Sequence, residues 1–330
     1  MAPPEKLVII EQEGDTSIVV SKTTSHNTDQ VQFQVSRDMV GKLKLSADKS
    51  EIRLTSSNAA SIKTIELLLR CIRKSSMRFL PGEFDLLPIK EIWGALTLVS
   101  VKAGQHYRRG RYNVPSSVLR KWFSAWFNNH IKIASQDEYE KLLYPAFAFR
   151  DSESFATITK WLAYNAVGQI QDRNPLMEGK SLPHSYDDMH LPEDILDAVN
   201  GAPKVLKDRI SEQLDQHMRR FQQDPSPCGI RAWGAIIETL LEPLEYMLKQ
   251  KSVNETLFAV SLMFGGISPE GAENCCICRM LIDIQEEVFE GLCLHCKDIP
   301  VNKSEQSNHL SSDICKWHEE MTQRRMSFQS

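Results

Sequence analysis

Five of the chain's eight cysteines lie between Cys275 and Cys296, and four of them form two close pairs. The spacing is Cys275-x2-Cys278, fourteen intervening residues, and Cys293-x2-Cys296. Two residues between thiolates allow one tight turn to present both sulfurs to a single ion, and two such turns complete a tetrahedron. Four protein ligands leave no open position for a substrate, so the spacing predicts a structural zinc site and not a catalytic one.

The ligand set of this segment is open in several respects. Cys276 supplies a competing thiol and is the alternative to Cys275 as a ligand. Four further side chains could also bind metal: His295, His309, Cys315 and His318. Zinc fits the segment better than copper or an iron–sulfur cluster, because nothing around it suggests redox chemistry. Cys71 and Cys228 lie in apolar helical contexts, and we expect both to be buried thiols.

No other group of residues carries recognisable chemistry. The chain has no P-loop, no dinucleotide-binding glycine pattern, no H-E-x-x-H and no G-x-S-x-G. One loop mixes histidine and aspartate, at His184, Asp187, Asp188 and His190. Its polar composition is typical of a surface loop. We therefore expect a protein that is not an enzyme and that has no catalytic residues.

The composition is that of an ordinary globular protein, with 330 residues of which 42% are hydrophobic and 25% charged. A net charge of −4 supplies no excess positive field, which argues against a generic nucleic-acid binder. The N-terminus lacks a secretory signal, and no apolar run approaches the ~18 residues of a membrane span. We expect an intracellular protein, cytoplasmic or nuclear, whose clustered thiols hold metal in preference to forming disulfides.

One segment departs from this charge balance. Six cations occur there without an acid, at Lys102, Arg108, Arg109, Arg111, Arg120 and Lys121. Such runs are usually solvated, and we interpret the segment as a loop followed by the start of a helix. The alternative is a nucleic-acid-associated, transcription-related factor in which these cations and the zinc unit contact phosphate, although the acidic net charge argues against it.

The elements that must position these residues begin with short strands. The runs "KLVII", "TSIVVSK", "VQFQVS" and "EIRLTSS" are separated by polar turns. In the third run Val31, Phe33 and Val35 alternate with polar residues, and this period of two predicts one buried face.

The period then changes to that of amphipathic helices. A first helix is indicated by the apolar stripe of Ile62, Ile65, Leu69 and Ile72. Pro88 suits the first turn of a second helix, and Gly104 is placed to end it. A third helix carries a dense apolar face, which we interpret as core: Val118, Leu119, Trp122, Phe123, Trp126 and Phe127.

The rest of the chain is predicted to be almost entirely helical. The segments "DEYEKLLYPAFAF" and "SESFATITKWLAYNAVG" are two helices, joined where Asp151 or Ser152 can cap the second. The next segment is predicted to form one helix ending near Asn200-Gly201 and then a longer one, because glycine commonly ends helices. "AWGAIIETLLEPLEYML" and "ETLFAVSLMFGGIS" are predicted to be further helices.

This order of elements resembles a BTB/POZ domain in the divergent form common in fungal proteins. The resemblance is carried by "VQFQVSRDMVGKL", "EIRLTSSNAASIKTIELLLRCIRKSS", "LPIKEIWGALTLVSVKAGQHYRRG" and "LRKWFSAWF". The segment "LLYPAFAFRDSESFATITKWLAYNAVG" looks like the helical extension that follows in such proteins. "GLCLHC" resembles their "GLCLDC", with Cys293 and Cys296 matching and His295 in place of the acid.

The resemblance covers roughly residues 5 to 300 and implies an α+β fold. We expect a BTB/POZ-like domain over 1–133 and a helical extension over 134–270. A four-cysteine zinc-binding segment would follow over 271–300, and a polar tail over 301–330. The implied function is that of a non-enzymatic adaptor that dimerises or recruits a protein partner such as a cullin-type ubiquitin ligase.

Overall fold

The computed structural model describes residues 6–23, 28–42, 51–55, 61–73, 87–99, 101–103, 106–108, 116–131, 134–177, 189–223, 241–265 and 291–292. These residues combine helices with β-strands, which confirms an α+β architecture. The chain divides into two compact units. The first contains the described residues of Met1–Phe155 and Asp172–Leu191, and the second those of Ala156–Gln171 and Pro192–Cys293.

The first unit contains a four-stranded sheet in the order β1-β3-β2-β4. Its strands are β1 (Lys6–Ile9), β2 (Thr16–Thr23), β3 (Thr28–Val35) and β4 (Glu51–Thr55). β2 and β3 form an antiparallel hairpin, β1 runs parallel to β3, and β4 runs parallel to β2. All four strands were expected from the short apolar runs of the sequence.

The pairing register of the hairpin decides which side chains face the core. Ile18 lies opposite Phe33, and both are completely buried, as are Val20 and Val35 two positions further along each strand. The alternation of apolar residues with Gln32 and Gln34 therefore gives β3 one buried face and one polar face, as predicted.

The first unit also contains α1 (Arg37–Lys42), which lies between β3 and β4, and then α2 (Ile62–Ile72) and α3 (Ile89–Leu98). The short α1 was not expected from the sequence. Ser61 caps α2, since its side chain accepts a hydrogen bond from the Thr64 amide at 3.3 Å. The buried stripe of α2 includes Ile65 and Leu69, as predicted.

The predicted end of α3 at Gly104 is wrong. α3 ends at Leu98, and Val99 is already extended with φ −102° and ψ 153°. A strand, β5 (Val101–Ala103), follows and pairs antiparallel with β6 (His106–Arg108). β-branched valines favour extended backbone, and Val101 lies opposite Arg108 in the pairing of β5 with β6. The cationic segment is therefore partly a hairpin and not only a loop.

Two further helices complete the first unit, α4 (Ser116–His130) and α5 (Gln136–Ala148). The aromatic face of α4 is core, as predicted, because its four aromatic side chains are at most 1% exposed: Trp122, Phe123, Trp126 and Phe127. α5 begins with a capping box, in which Ser135 and Glu138 exchange hydrogen bonds.

Helix α6 (Ser152–Asn165) is capped by Asp151, one of the two residues expected to do so. The carboxylate of Asp151 accepts hydrogen bonds from the Ser154 amide at 3.4 Å and from the Ser154 hydroxyl at 2.6 Å. Both residues are buried, so the cap gives partners to polar groups that would otherwise lie unpaired in the core of the first unit.

The second unit contains α7 (Glu193–Gln223), α8 (Leu241–Gln250) and α9 (Val253–Gly265). The predicted break near Asn200-Gly201 is wrong, because α7 is one helix of 31 residues. The side chain of Asn200 donates to the carbonyl oxygens of Leu196 and Ile170 and accepts from the Ile170 amide at 2.8 Å. This tertiary clamp holds the helix together at the position where local sequence favours an end.

Candidate binding site

The predicted zinc ligands Cys275, Cys278, Cys293 and Cys296, and the alternative Cys276, lie outside the described residues. So do His295, His309, Cys315, His318 and Cys228. The described part of the chain contains no group of three or more His, Cys, Asp or Glu side chains arranged to hold a metal ion. The zinc site stays a prediction.

The two residues directly before Cys293 are described, and they are fixed to α6. The Leu292 amide donates a hydrogen bond of 2.8 Å to the buried Thr159 hydroxyl. Gly291 adopts φ 99°, and a Cβ atom there would overlap the backbone of Ala156. The chain therefore enters the second cysteine pair from a rigid point, and only glycine fits at that point.

The isolated Cys71 is a buried thiol, as expected. It is 1% exposed on α2, and burial raises its pKa to about 12. A thiol that stays protonated at physiological pH is a poor nucleophile and a poor metal ligand. Cys71 therefore contributes to packing and not to chemistry.

A cavity of about 590 Å³ opens in the first unit where three helices end or begin. Its walls come from the start of α3, the end of α4 and the first two turns of α5. Apolar side chains form much of the surface: Leu87, Pro88, Ile89, Trp126, Leu142 and Pro175. This volume lies within the range of sites that hold small molecules in proteins.

Trp126 and His130 lie one turn apart on α4 and form one wall of the cavity. The Trp126 indole donates a buried hydrogen bond of 2.9 Å to the Leu87 carbonyl, which fixes the ring. The imidazole of His130 stacks on that indole, with ring centroids 4.2 Å apart. Its Nδ1 lies 3.1 Å from the Trp126 carbonyl oxygen, so Nδ1–H donates a hydrogen bond to that carbonyl and Nε2 of the neutral ring is an acceptor.

The two carboxylates of the cavity wall already have partners. Asp137 accepts from the Lys141 ammonium and from the Arg173 guanidinium, each at 2.8 Å. The hydrogen bond from Lys141 is the main cause that lowers the pKa of Asp137. Glu138 accepts from the amide and the hydroxyl of Ser135, at 2.8 and 3.0 Å, in the capping box.

Arg173 also ties the segment after α6 to the far side of α5. Its Nε lies 2.8 Å from a carboxylate oxygen of Glu140, whose side chain is only 2% exposed. Gln136 donates a second hydrogen bond of 2.9 Å to the same carboxylate. A buried charge with two donors is stable where a lone one would not be, so this network keeps the Pro175 side of the cavity in place.

Of the four residues in the loop that mixes histidine and aspartate, the structure describes only His190. His184, Asp187 and Asp188 lie outside the described residues. The Nδ1 atom of His190 is 3.5 Å from the Asp172 carboxylate, which also accepts from the Leu191 amide at 2.5 Å. The other oxygen of Asp172 is buried without a hydrogen-bond partner in the described structure. His190 is about half exposed, as expected of a surface loop.

Sequence reasoning found the aromatic wall of the cavity but not the cavity itself. Trp126 was correctly predicted to lie in the core. His130 follows it by four residues, a spacing that places both on one helix face. Lys90, Asp137 and Glu138 gave no signal, because charged residues in the first turn of a helix are common. Their convergence depends on how three helix ends meet.

Comparison with known proteins identifies no relative: no family model, no curated protein and no solved structure matches this chain. In the described part of the chain, no helix combines the length and the apolar character needed to cross a membrane. The functional interpretation therefore depends on the residues themselves.

Proposed function

We propose that this chain is a non-enzymatic protein-interaction module of the BTB/POZ type, acting as a homodimer or as an adaptor for a partner such as a cullin-type scaffold. The observation that carries the proposal is the order of elements over residues 16–130. A β-hairpin, a helix, a strand returning beside the first hairpin strand, two helices, a short second hairpin and an aromatic helix follow one another. The sequence resemblance rests on the same order.

The exposed side of β1 supports an interaction role. β1 is an edge strand of the sheet, so one side of its backbone has no strand partner in the described residues. Leu7 and Ile9 are 57% and 52% exposed and lie on the same face of the strand. An edge strand with exposed apolar side chains favours contact with another chain, because contact buries both the apolar surface and the open backbone.

The proposal is tested by measuring the mass of the full chain in solution and by recovering bound proteins from cells. Light scattering after size exclusion should give twice the chain mass of 37.6 kDa, or affinity purification should recover a specific protein partner. The variant Leu7→Glu should weaken the association, whereas Lys63→Glu on an exposed position of α2 should not. A strict monomer that recovers no partner would contradict the proposal.

We also propose that the chain carries one structural zinc ion bound by Cys275, Cys278, Cys293 and Cys296. The support is the spacing of the two pairs and the fixed position of Gly291 and Leu292 directly before the second pair. Elemental analysis should find about one zinc per chain, and Cys278→Ser or Cys293→Ser should lower both zinc content and thermal stability. Far less than one metal ion per chain would reject the site.

A further inference from the structure

The cavity between the ends of α3, α4 and α5 has an uneven set of hydrogen-bonding groups. Its carboxylates, Asp137 and Glu138, are both engaged by protein donors. Lys90 is exposed at the start of α3 and has no ion-pair partner among the described residues. His130 uses only Nδ1 within the described structure. The groups that remain for a ligand are therefore the Lys90 ammonium, a donor, and Nε2 of His130, an acceptor in the neutral ring.

This asymmetry determines which kind of ligand the cavity can bind well. A cationic ligand would have to compete with Lys141 and Arg173 for Asp137, and with the Ser135 donors for Glu138. An anionic ligand would meet the Lys90 ammonium, which has no ion-pair partner among the described residues. The apolar surface of Trp126 and Leu142 offers contact to an apolar or aromatic body, since a ligand of this kind loses water-exposed surface on binding.

We propose that this cavity binds a small monocarboxylate with an apolar body. The carboxylate contacts the Lys90 ammonium, and the apolar body lies against Trp126 and Leu142. Charge-assisted hydrogen bonds hold the carboxylate, and the fixed indole gives the site a preformed shape. This site does not depend on the proposed interaction role, since it lies on side chains that the association test leaves unchanged.

The charged groups of the cavity are Lys90 on α3 and Asp137, Glu138 and Lys141 on α5. Asp137 and Lys141 pair with each other, and Ser135 donates to Glu138. Lys90 is therefore the charged group of the cavity that is left for a carboxylate ligand.

The test compares 1-naphthaleneacetate with 1-naphthaleneacetamide by calorimetry on the full chain. These probes share one apolar body and differ in the charged group. We expect the acid to bind about three- to ten-fold more tightly than the amide, in line with a partly exposed charge contact.

Variants locate the site. Lys90→Gln should bring the ratio of acid to amide affinity close to one while leaving the amide affinity unchanged. Lys63→Gln, an equally exposed lysine on α2 away from the cavity, should leave the ratio unchanged. Because Lys90 is exposed, Lys90→Gln is not expected to disturb folding.

Three results would overturn the proposal. The first is equal affinity for acid and amide, and the second is no binding of either probe at millimolar concentration. The third is tighter binding of the blocked peptide Ac-Gly-Phe-Asp-Gly-NH2 than of 1-naphthaleneacetate, which would assign the cavity to a segment of a partner protein. A chain that is monomeric and recovers no protein partner, but still binds the acid more tightly than the amide, would contradict the proposed function alone.

Discussion

Helices α5 and α7 both contain an internal proline, yet different forces hold them. α5 has a capping box at its start and buries almost every residue from Tyr139 to Ala148. α7 buries a single stripe among its described side chains, Ile195, Val199, Ala202, Leu206, Ile210 and Leu214. α5 is therefore stabilised by its surroundings along its whole length, whereas α7 depends on one stripe and one clamp at Asn200.

The same residue type therefore has different effects in the two helices. Proline removes a backbone donor and disturbs the preceding turn wherever it lies in a helix interior. At Pro145 the ring is itself buried and adds apolar contact in return. At Pro203 the ring is only partly buried, so its apolar contacts offset less of the cost of the missing backbone N–H. Substitutions in the two helices measure this difference.

The largest effect is expected in the buried part of α5. Leu143 is completely buried, and Leu143→Ala should lower the free energy of unfolding by about 3 kcal/mol, through lost transfer energy and a cavity. Urea denaturation followed by circular dichroism measures the change. The matched variant Glu212→Ala, on the exposed side of α7, should change it by less than about 0.5 kcal/mol. Similar losses for both would show that the two helices are equally buried.

The next effect concerns the clamp of α7. Asn200→Ala removes three hydrogen bonds and leaves the backbone of the buried Ile170 unpaired, so we expect a loss of about 2 kcal/mol. Asn200→Asp keeps an acceptor for the Ile170 amide but cannot donate, and it should show part of this loss. Hydrogen exchange of α7 amides should accelerate on both sides of the substitution. Unchanged exchange would mean that the clamp does not hold the helix.

A smaller effect of opposite sign is expected at Pro203. Because α7 is one helix, Pro203→Ala restores a donor for the Val199 carbonyl and should stabilise the protein by about 1.5 kcal/mol, after the greater freedom of the unfolded chain is deducted. Pro192→Ala, directly before the helix begins, should give no gain. A helix that stopped at Gly201 would place Pro203 near a new start, and Pro203→Ala would then be neutral or destabilising.

The smallest effect is the pH dependence of the ion pairs on α5. The pKa of Asp137 is lowered in the folded state, mainly by the hydrogen bond from Lys141, so its contribution is present above the unfolded pKa of about 3.9 and is lost as pH falls through the lower folded value. Asp137→Asn should cost about 0.5 kcal/mol at pH 7, because the pair is exposed. The difference in unfolding free energy between Asp137→Asn and the unchanged protein should be equal at pH 7 and pH 5. It should become smaller below pH 4.

The control for this experiment is Asp215→Asn, an exposed carboxylate on α7. It should show the same unfolding free energy as the unchanged protein at every pH. A difference at Asp137 that persists at pH 3 would show that packing, and not charge, is responsible for it.

Much of the fold of the first unit could be predicted from local pattern. The alternation around Phe33, the stripe around Ile65 and the aromatic face around Trp126 each report which side of an element is buried, since burial of apolar surface is the main driving force of folding. The end of α3 could not be predicted, because it depends on pairing between β5 and β6. The cavity was missed for a similar reason, since Lys90, His130 and Asp137 lie on three different helices.

The sequence by itself determined the strands, the aromatic core of α4 and the cap of α6, because these follow from side-chain period and from groups within a few residues. Only the tertiary structure decided that α7 continues through Gly201 and Pro203. It also decided that Lys90 and His130 line one cavity with the fixed indole of Trp126. Such features depend on atoms that meet through folding, as Asn200 meets Ile170 across thirty positions. Local helix and strand propensities do not predict these features, because the free energy that favours them comes from tertiary contacts.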